Sequence, residues 1–339
     1  MTKILPANQQ SISAAAQTIL SGGLVAFPTE TVYGLGANAL DAAAVEKIFS
    51  AKGRPSADPL IVHISGLDQI NRVVRTLSPL AKTLAEAFWP GPLTLILPKH
   101  SSVPGLVTSG LENVAVRIPN HPVALALIQA SGTPIAAPSA NRFGHTSPTT
   151  ARHVFQDLDG FVDIILDGGP TSIGVESTVL DLSTSPARIL RPGGVTREML
   201  ESLIGPVTLF ENLKRKYKGL PSPGMLKKHY APRAEMILFK GEQAGDLLAD
   251  YVTKQTTMGK RTGALVATEE AAGLERLGTV VFRLGPQADL AGIARRIYAG
   301  MRWLDDQKVD VIVCRDFGEG GLGLAIRDRL SRAATKVIG

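Results

Sequence analysis

Short apolar runs alternate with amphipathic stretches through the first 206 residues. LVAFP (24–28), PLIVHI (59–64), PLTLILP (92–98), NVAVRIP (113–119), TPIAAPS (133–139), VDIILDGG (162–169), STVLDLS (177–183) and ARILRP (187–192) each predict a strand. Helices are predicted between them. Residues 8–21 run from Asn8, a capping residue, to the stop signal Gly22–Gly23. Asp41 heads AAAVEKIFSAK, and 78–89 opens with Ser78–Pro79, proline just inside the start. Residues 121–131 and 196–204 complete the set. Strands and helices spaced this unevenly predict an α/β unit whose sheet is not purely parallel.

The alternation stops at 207–233. This segment holds three prolines, two glycines and a cluster of bases, with no sustained period. It predicts a linker, about 90 Å long if fully extended at roughly 3.3 Å per residue. Such a length lets it leave its own boundary and lie across a neighbouring surface. A second alternation fills 234–339. AEMILFK, GALVATEE, TVVFRLG and VDVIVCRDF predict strands, and 242–253, 268–276, 287–305 and 323–333 predict helices, a small Rossmann-like α/β domain.

Composition narrows the class. With 339 residues, 44% of them hydrophobic, the chain has enough apolar material for a full core, which excludes global disorder. The net charge of +6 invites a nucleic-acid or phosphate partner. Its distribution changes that picture, because residues 1–206 carry 14 bases and 15 acids, and 234–339 carry 15 and 14. The linker carries seven bases, Lys214, Arg215, Lys216, Lys218, Lys227, Lys228 and Arg233, against Glu211 alone, so the excess is one cationic strap. The single cysteine, Cys314, cannot build a disulfide framework or a Cys-based zinc site and reads as a buried strand thiol. None of the six histidines falls in HxxxH or HExxH, so no metal-ligand set is expected. The longest charge-free runs, 4–29 and 118–141, are interrupted by polar residues, Pro and Gly. No membrane helix is expected, and with no cleavable signal pattern at the N-terminus the expected location is the cytoplasm.

The chemistry-bearing residues cluster at strand ends. FPTETVYGLGANA (27–39) turns polar directly after a strand, which fits a ligand loop or an ordinary turn. Lys52 and Arg54 flank Gly53 after a helix. They suit phosphate oxygens, and Lys52 equally suits the negative end of the helix dipole. His63 lies inside an apolar strand, where a ligand contact and a hydrogen-bonded core histidine both fit. Arg117 is a charge in the middle of VAVRIP and needs an anion or a fork of acceptors. Ser139 and Asn141, in SAN, and Ser147 six residues on offer hydroxyls and an amide. Ser177 opens STVLDLS, and Arg191 ends RILRPGG. Jointly they describe a polyanion pocket with hydroxyls and few free carboxylates, a nucleotide-triphosphate site that works by clamping charge. Two glycine patterns imitate a dinucleotide fingerprint, Gly34–Gly36–Ala39 and Gly318–Gly320–Gly323. The second is followed by only 16 residues, whereas that fingerprint needs a further strand and an acid about 20 residues on; close strand-to-helix packing explains it better.

PTETVYGLG (28–36), KGRP (52–55), PLIVHI (59–64), the Lys52/Arg54 and Ser139/Asn141 pairs, GVESTV (174–179), ILRPG (189–193), SPGMLKKHYAP (222–232) and GLGLAIRDRL (321–330) together resemble the L-threonylcarbamoyladenylate synthase family in its long, two-domain form. The resemblance implies a YrdC-like twisted mixed sheet with flanking helices over 1–206, a basic linker or lid over 207–233, and a C-terminal Rossmann-like domain over 234–339. It implies condensation of L-threonine, bicarbonate and ATP into threonylcarbamoyl-AMP with loss of pyrophosphate. The product then goes to a separate transferase acting at adenosine 37 of ANN-decoding tRNAs. By the same resemblance, Thr31, His63, Arg117, Ser177 and the backbone of Ala137 hold threonine. Lys52, Arg54, Asp58, Asn113, Ser139, Asn141, Ser147, Arg191 and Tyr230 hold ATP, and Mg²⁺ accompanies the triphosphate, with Asp58 a further option for the metal. Lys52 and Arg54 are the expected catalytic pair. Two other functions are weighed against this one. A non-enzymatic RNA-binding role predicts salt-sensitive RNA affinity without ATP turnover. A carbamoyl-transfer step in hydrogenase maturation normally brings zinc-finger cysteines, against which the single Cys314 argues.

Overall fold

The computed structural model describes residues 1–210 and 230–339. Six of the seven linker bases, Lys214 to Lys228, and the expected lid up to residue 229 lie outside the described residues. The described residues fall into two compact units. The first comprises Met1–Phe143, Pro148–Ser172 and Glu176 onward to 210. The second comprises Gly144–Ser147, Ile173–Val175 and 230–339.

The first unit is built on an eleven-stranded sheet. Its strands are β1 (Lys3–Pro6), β2 (Val25–Phe27), β3 (Gly34–Asn38), β4 (Ile61–His63), β5 (Leu93–Pro98), β6 (Asn113–Arg117), β7 (Ile135–Ala136), β8 (Ile164–Asp167), β9 (Thr178–Asp181), β10 (Arg188–Arg191) and β11 (Thr208–Leu209). They lie in the order β1-β8-β2-β3-β7-β4-β6-β5-β9-β10-β11. Parallel pairs such as β4/β6 and β5/β9 alternate with antiparallel ones such as β5/β6 and β4/β7, the mixed sheet expected from the uneven spacing. The helices are α1 (Gln9–Leu20), α2 (Ala42–Lys52), α3 (Pro79–Phe88), α4 (Pro122–Ser131), α5 (Ala151–Leu158) and α6 (Arg197–Ile204). Their starts follow the sequence: Asn8 accepts from Ser11 N–H, Asp41 from Ala43 and Ala44 N–H, and Ser78 from Ala81 N–H.

Strand alternation sorts the sheet into two faces. Val62, Leu93, Leu95, Leu97, Val114, Val116 and Leu180 point to one side, into a core with buried residues of α2, α3, α5 and α6. On the other side, α1 and α4 bury Val25, Phe27, Ile135, Ile164 and Leu166. Beyond β7 that second face continues with a small apolar cluster, Ile61, Ile96, Ala115, Val179 and Leu190, interleaved with the polar residues described below.

The second unit is a five-stranded sheet: β12 (Glu235–Phe239), β13 (Thr262–Val266), β14 (Val280–Arg283), β15 (Val311–Arg315) and β16 (Lys336–Ile338), ordered β14-β13-β15-β12-β16. Every neighbour is parallel, and α7 (Ala244–Thr257), α8 (Thr268–Arg276), α9 (Leu290–Asp306) and α10 (Gly323–Ala333) supply the crossovers, as expected for a Rossmann-like domain. The strand predicted over 263–270 stops at Val266, and ATEE starts α8 instead. Cys314 is fully buried on β15, and burial pushes its thiol up. Both glycine patterns are packing devices. Gly36 lies on β3, where a Cβ would fall 2.7 Å from the Phe27 ring. A Cβ at Gly323 would fall 2.9 Å from the Phe317 and Gly318 carbonyl oxygens. Among the described residues, no helix is long and apolar enough to cross a membrane.

Candidate active site

The polar residues of the first unit gather on the second face of the sheet and on the loops that leave it. His63 and Arg117 are register partners on β4 and β6, one step along from Ile61 and Ala115. The loop joining β2 to β3 folds over them. The Thr29 hydroxyl donates to Val32 O at 2.7 Å and accepts from Thr31 and Val32 N–H, a side-chain turn that fixes Glu30 and Thr31. With its one proton spent on Val32 O, Thr29 accepts from the Thr31 hydroxyl at 2.8 Å. Thr31 Oγ1 in turn accepts from Arg117 Nη2 at 3.2 Å. Arg117 Nη1 lies 3.4 Å from Glu30 Oε1, with both side chains buried. Burial lowers the Arg117 pKa; Glu30 opposes that shift, Arg191 adds to it and Glu176 opposes it. Burial, then Arg117, holds His63 well below the usual imidazole range, so its ring is neutral near pH 7. Ala137 donates its N–H to Ile61 O at 2.9 Å, which fixes its backbone beside β4.

A second set continues across β5, β9 and β10. The Ser177 hydroxyl bonds Thr94 at 2.8 Å. Arg191, at a β-bulge in β10, donates to Ser177 O at 3.0 and 3.2 Å and to Ser177 Oγ at 3.1 Å. The resemblance assigns Ser177 to threonine and Arg191 to ATP, and the two meet here.

The third set surrounds the end of α2. Gly53 takes the left-handed conformation, φ 63°, that ends the helix. Arg54 N–H returns to Phe49 O and Gly53 N–H to Ser50 O, so the backbone reverses and leaves Lys52 and Arg54 buried. Lys52 Nζ donates to the carbonyls of Ser139 and Asn141, joining the two sequence pairs through backbone oxygens. Burial holds the Lys52 ammonium well below its ordinary pKa, and Arg54 adds to the shift. Arg54 is committed to its own loop: Nε to Asp58 O at 3.1 Å, Nη2 to Pro59 O at 2.8 Å, and an ion pair with Asp58 Oδ2 at 2.9 Å. Asp58 is therefore the counter-ion of Arg54. Asn113 opens β6, half-buried.

Ser147 and Tyr230 belong to the second unit. Tyr230, left-handed at φ 63°, is buried with its ring 5.7 Å from Tyr298 and 5.3 Å from the Arg329 guanidinium. Ala231 bridges His145, and Thr146 Oγ1 lies 3.4 Å from Tyr230 O.

Two carboxylates, Glu30 and Glu176, are buried in the site, and both act on the Arg117 charge, so they do not stand there as free anions. Thr94 also joins unannounced; a lone threonine in the otherwise apolar strand PLTLILP was its signal.

A family profile described as telomere recombination matches residues 17–193, and one described as threonylcarbamoyl-AMP synthase, C-terminal domain, matches 195–335. The chain is 48% identical to the threonylcarbamoyl-AMP synthase of Bacillus subtilis over 98% of its own length and 96% of that protein's. It is 39% identical to the Schizosaccharomyces pombe enzyme of that name, over 92% and 85%. The chain belongs to the threonylcarbamoyl-AMP synthase family. The fold agrees: the Pyrococcus abyssi protein Sua5, solved in complex with L-threonine, superposes with a TM-score of 0.91 at 43% identity, covering 100% of this chain and 98% of that one. A twisted mixed sheet followed by a second α/β unit is thus the architecture of the family as well as of this chain.

Proposed function

We propose that this chain is an ATP-dependent transferase that makes threonylcarbamoyl-AMP from L-threonine, bicarbonate or CO₂, and ATP, releasing pyrophosphate. The observation that carries the reading is the two buried contacts Thr31–Arg117 and Ser177–Arg191, with the Arg117 and Arg191 charges acting on each other, in a family member. The L-threonine complex of the Pyrococcus abyssi relative supports the same amino acid here. Arg117 pairs with the threonine carboxylate, and Thr31, Ser177, neutral His63 and the Ala137 backbone orient the rest. Lys52, Arg54, Asn113, Ser139, Asn141 and Arg191 hold the nucleotide, with Asp58 fixing Arg54. Ser147 and Tyr230 enter through the resemblance alone.

The unprotonated threonine amine attacks the carbon of CO₂ and gives up a proton, or attacks that of bicarbonate with loss of water, and either route gives a carbamate. A carbamate oxygen then attacks the α-phosphorus in line, and pyrophosphate leaves. The side chains position the reactants and neutralise charge, and covalent catalysis is not required. The apolar cluster beside Arg117 lowers the local dielectric and strengthens those contacts. Among the described residues, no group of three or more His, Cys, Asp or Glu side chains suits a metal ion, and Asp58 is ion-paired. The donor set does not fit a resident cation. Mg²⁺ belongs to the ATP as substrate, and no step is assigned to it.

In the cytoplasm, the product would pass to a separate transferase that modifies adenosine 37 of ANN-decoding tRNAs, with weak RNA binding by this chain an accompanying expectation. Pyrophosphate release from ATP, measured with and without threonine and bicarbonate, tests the chemistry. Release should require both, and release indifferent to either overturns the reading.

A further inference from the structure

The ion pair of Arg117 with Glu30 is unlike others in the molecule. Both side chains are more than nine-tenths buried, yet the closest approach is 3.4 Å, where a charge-assisted hydrogen bond normally spans about 2.7–2.9 Å. The equally buried Arg54–Asp58 pair closes to 2.9 Å. Three buried polar atoms of this cluster have no hydrogen-bond partner: Glu30 Oε2, Arg117 Nε and His63 Nδ1. Buried polar atoms are nearly always hydrogen-bonded, and an unmade bond is costly, more so for a charged group, so three together on a purely structural pair would be unusual.

The pattern suits a ligand that carries both charges. An α-amino acid places a carboxylate and an ammonium on the same carbon, and a receptor for it needs a cation and an anion side by side. Arg117 and Glu30 are such a pair, each with an atom in reserve. A plain carboxylic acid, or a phosphate, would meet only repulsion from Glu30. Of the other ionisable groups near Glu30, burial lowers the His121 pKa, which favours its neutral form, so His121 does not supply the missing cation.

We infer that Glu30 reads the α-ammonium of the amino-acid substrate through Oε2, while Arg117 takes its carboxylate. Glu30 is thereby the residue that selects an amino acid over the corresponding hydroxy acid. The inference rests on the threonine reading above, and it adds to that site a residue that the sequence resemblance does not assign.

The test is calorimetric binding to the full chain of L-threonine and of its 2-hydroxy analogue, in which a hydroxyl replaces the amine. The wild-type chain should prefer threonine. Glu30→Gln should weaken threonine binding about 10–100-fold, the loss of one hydrogen bond to a charged group. It should leave the analogue unchanged or tighter and ATP affinity intact. Glu30→Asp, which keeps the charge and shortens the reach, should show a smaller loss in the same direction and serves if Glu30→Gln does not fold. Unchanged threonine affinity in both variants overturns the inference while leaving the threonine site standing. So does an equal loss for threonine and analogue, the mark of a merely structural role. A wild-type chain that binds ATP and no threonine overturns both.

Discussion

Arg117 and Arg329 are both buried arginines, one in each unit, and the molecule treats them differently. Arg117 on β6 has contacts of 3.4 Å to Glu30 and 3.2 Å to Thr31, and its Nε has no partner. Arg329 on α10 is fully buried, with Nη1 2.6 Å from Asp328 and its guanidinium over the Tyr230 ring. Taking such a cation out of water costs several kcal/mol. That exceeds the roughly 1.5–3 kcal/mol that one buried Leu or Val contributes, so neither arginine is there as core filler. In the second unit the cost is met internally, by a short ion pair and a ring face. In the first, part of it is unmet by the protein, and that reserve is what an anionic or zwitterionic ligand can use. Slack in a buried ion pair therefore marks charge left over for a ligand, and closure marks charge that the protein already meets.

This contrast can be broken by substitution. The largest effect is expected at Arg54, the closed pair of the first unit. Arg54→Ala removes the ion partner of buried Asp58 and should lower unfolding stability by about 3–5 kcal/mol in denaturant titration, beyond any loss of ATP binding. A variant that loses ATP and keeps its stability would show that closure at 2.9 Å does not signal a structural role. Next comes Arg329→Met, expected to cost about 2–4 kcal/mol through the lost ion pair and ring contact, with the KM for threonine unchanged. Arg117→Lys should do the reverse: stability within about 1 kcal/mol, and threonine affinity down about 10–100-fold, because an ammonium cannot reproduce the guanidinium fork. Matching stability losses in Arg329→Met and Arg117→Lys would erase the contrast.

The smallest effect is a pH slope. The native pKa of His63 is depressed, so below about pH 6.5 the unfolded chain takes up a proton that the folded chain refuses. Stability should fall as pH drops from 6.5, by up to about 1.4 kcal/mol per unit from this group until the native pKa is reached. His63→Gln should remove that component, so that between pH 6.5 and 5 the variant loses stability less steeply than the wild type. A slope identical in the two proteins would show that His63 is protonated in the fold.

Much of the scaffold was legible in the chain. α8 and α10 match their predicted ranges, and the caps at Asn8, Asp41 and Ser78 carry the hydrogen bonds their residue types suggested. β3 was not legible, because GLGAN holds two glycines and little β-propensity; it is a strand because Val25–Phe27 and Ile135–Ala136 pair with it on both sides. α5 was missed although Thr150 caps it and Ala151, Val154 and Leu158 form its buried stripe. β1 and β16, three or four residues at sheet edges, are too short for periodicity to register. In the site, Arg117, His63, Arg191 and Ser177 stood out as polar residues in apolar strands, and the structure brings them onto one face. That Glu30 stands beside Arg117 could not be read, since 87 residues separate them along the chain.

The sequence by itself determined the local alphabet of this protein: which runs are strands, where helices start and stop, and which motifs place it in its family. Those features depend on neighbours a few residues away, through capping, periodicity and turn chemistry. The tertiary structure alone decided which charges meet. Strand order set β4 against β6, and so His63 against Arg117, while the turn at Thr29 carried Glu30 to the same guanidinium. Whether a buried charge is closed off or held in reserve depends on a few tenths of an ångström between residues far apart in the chain.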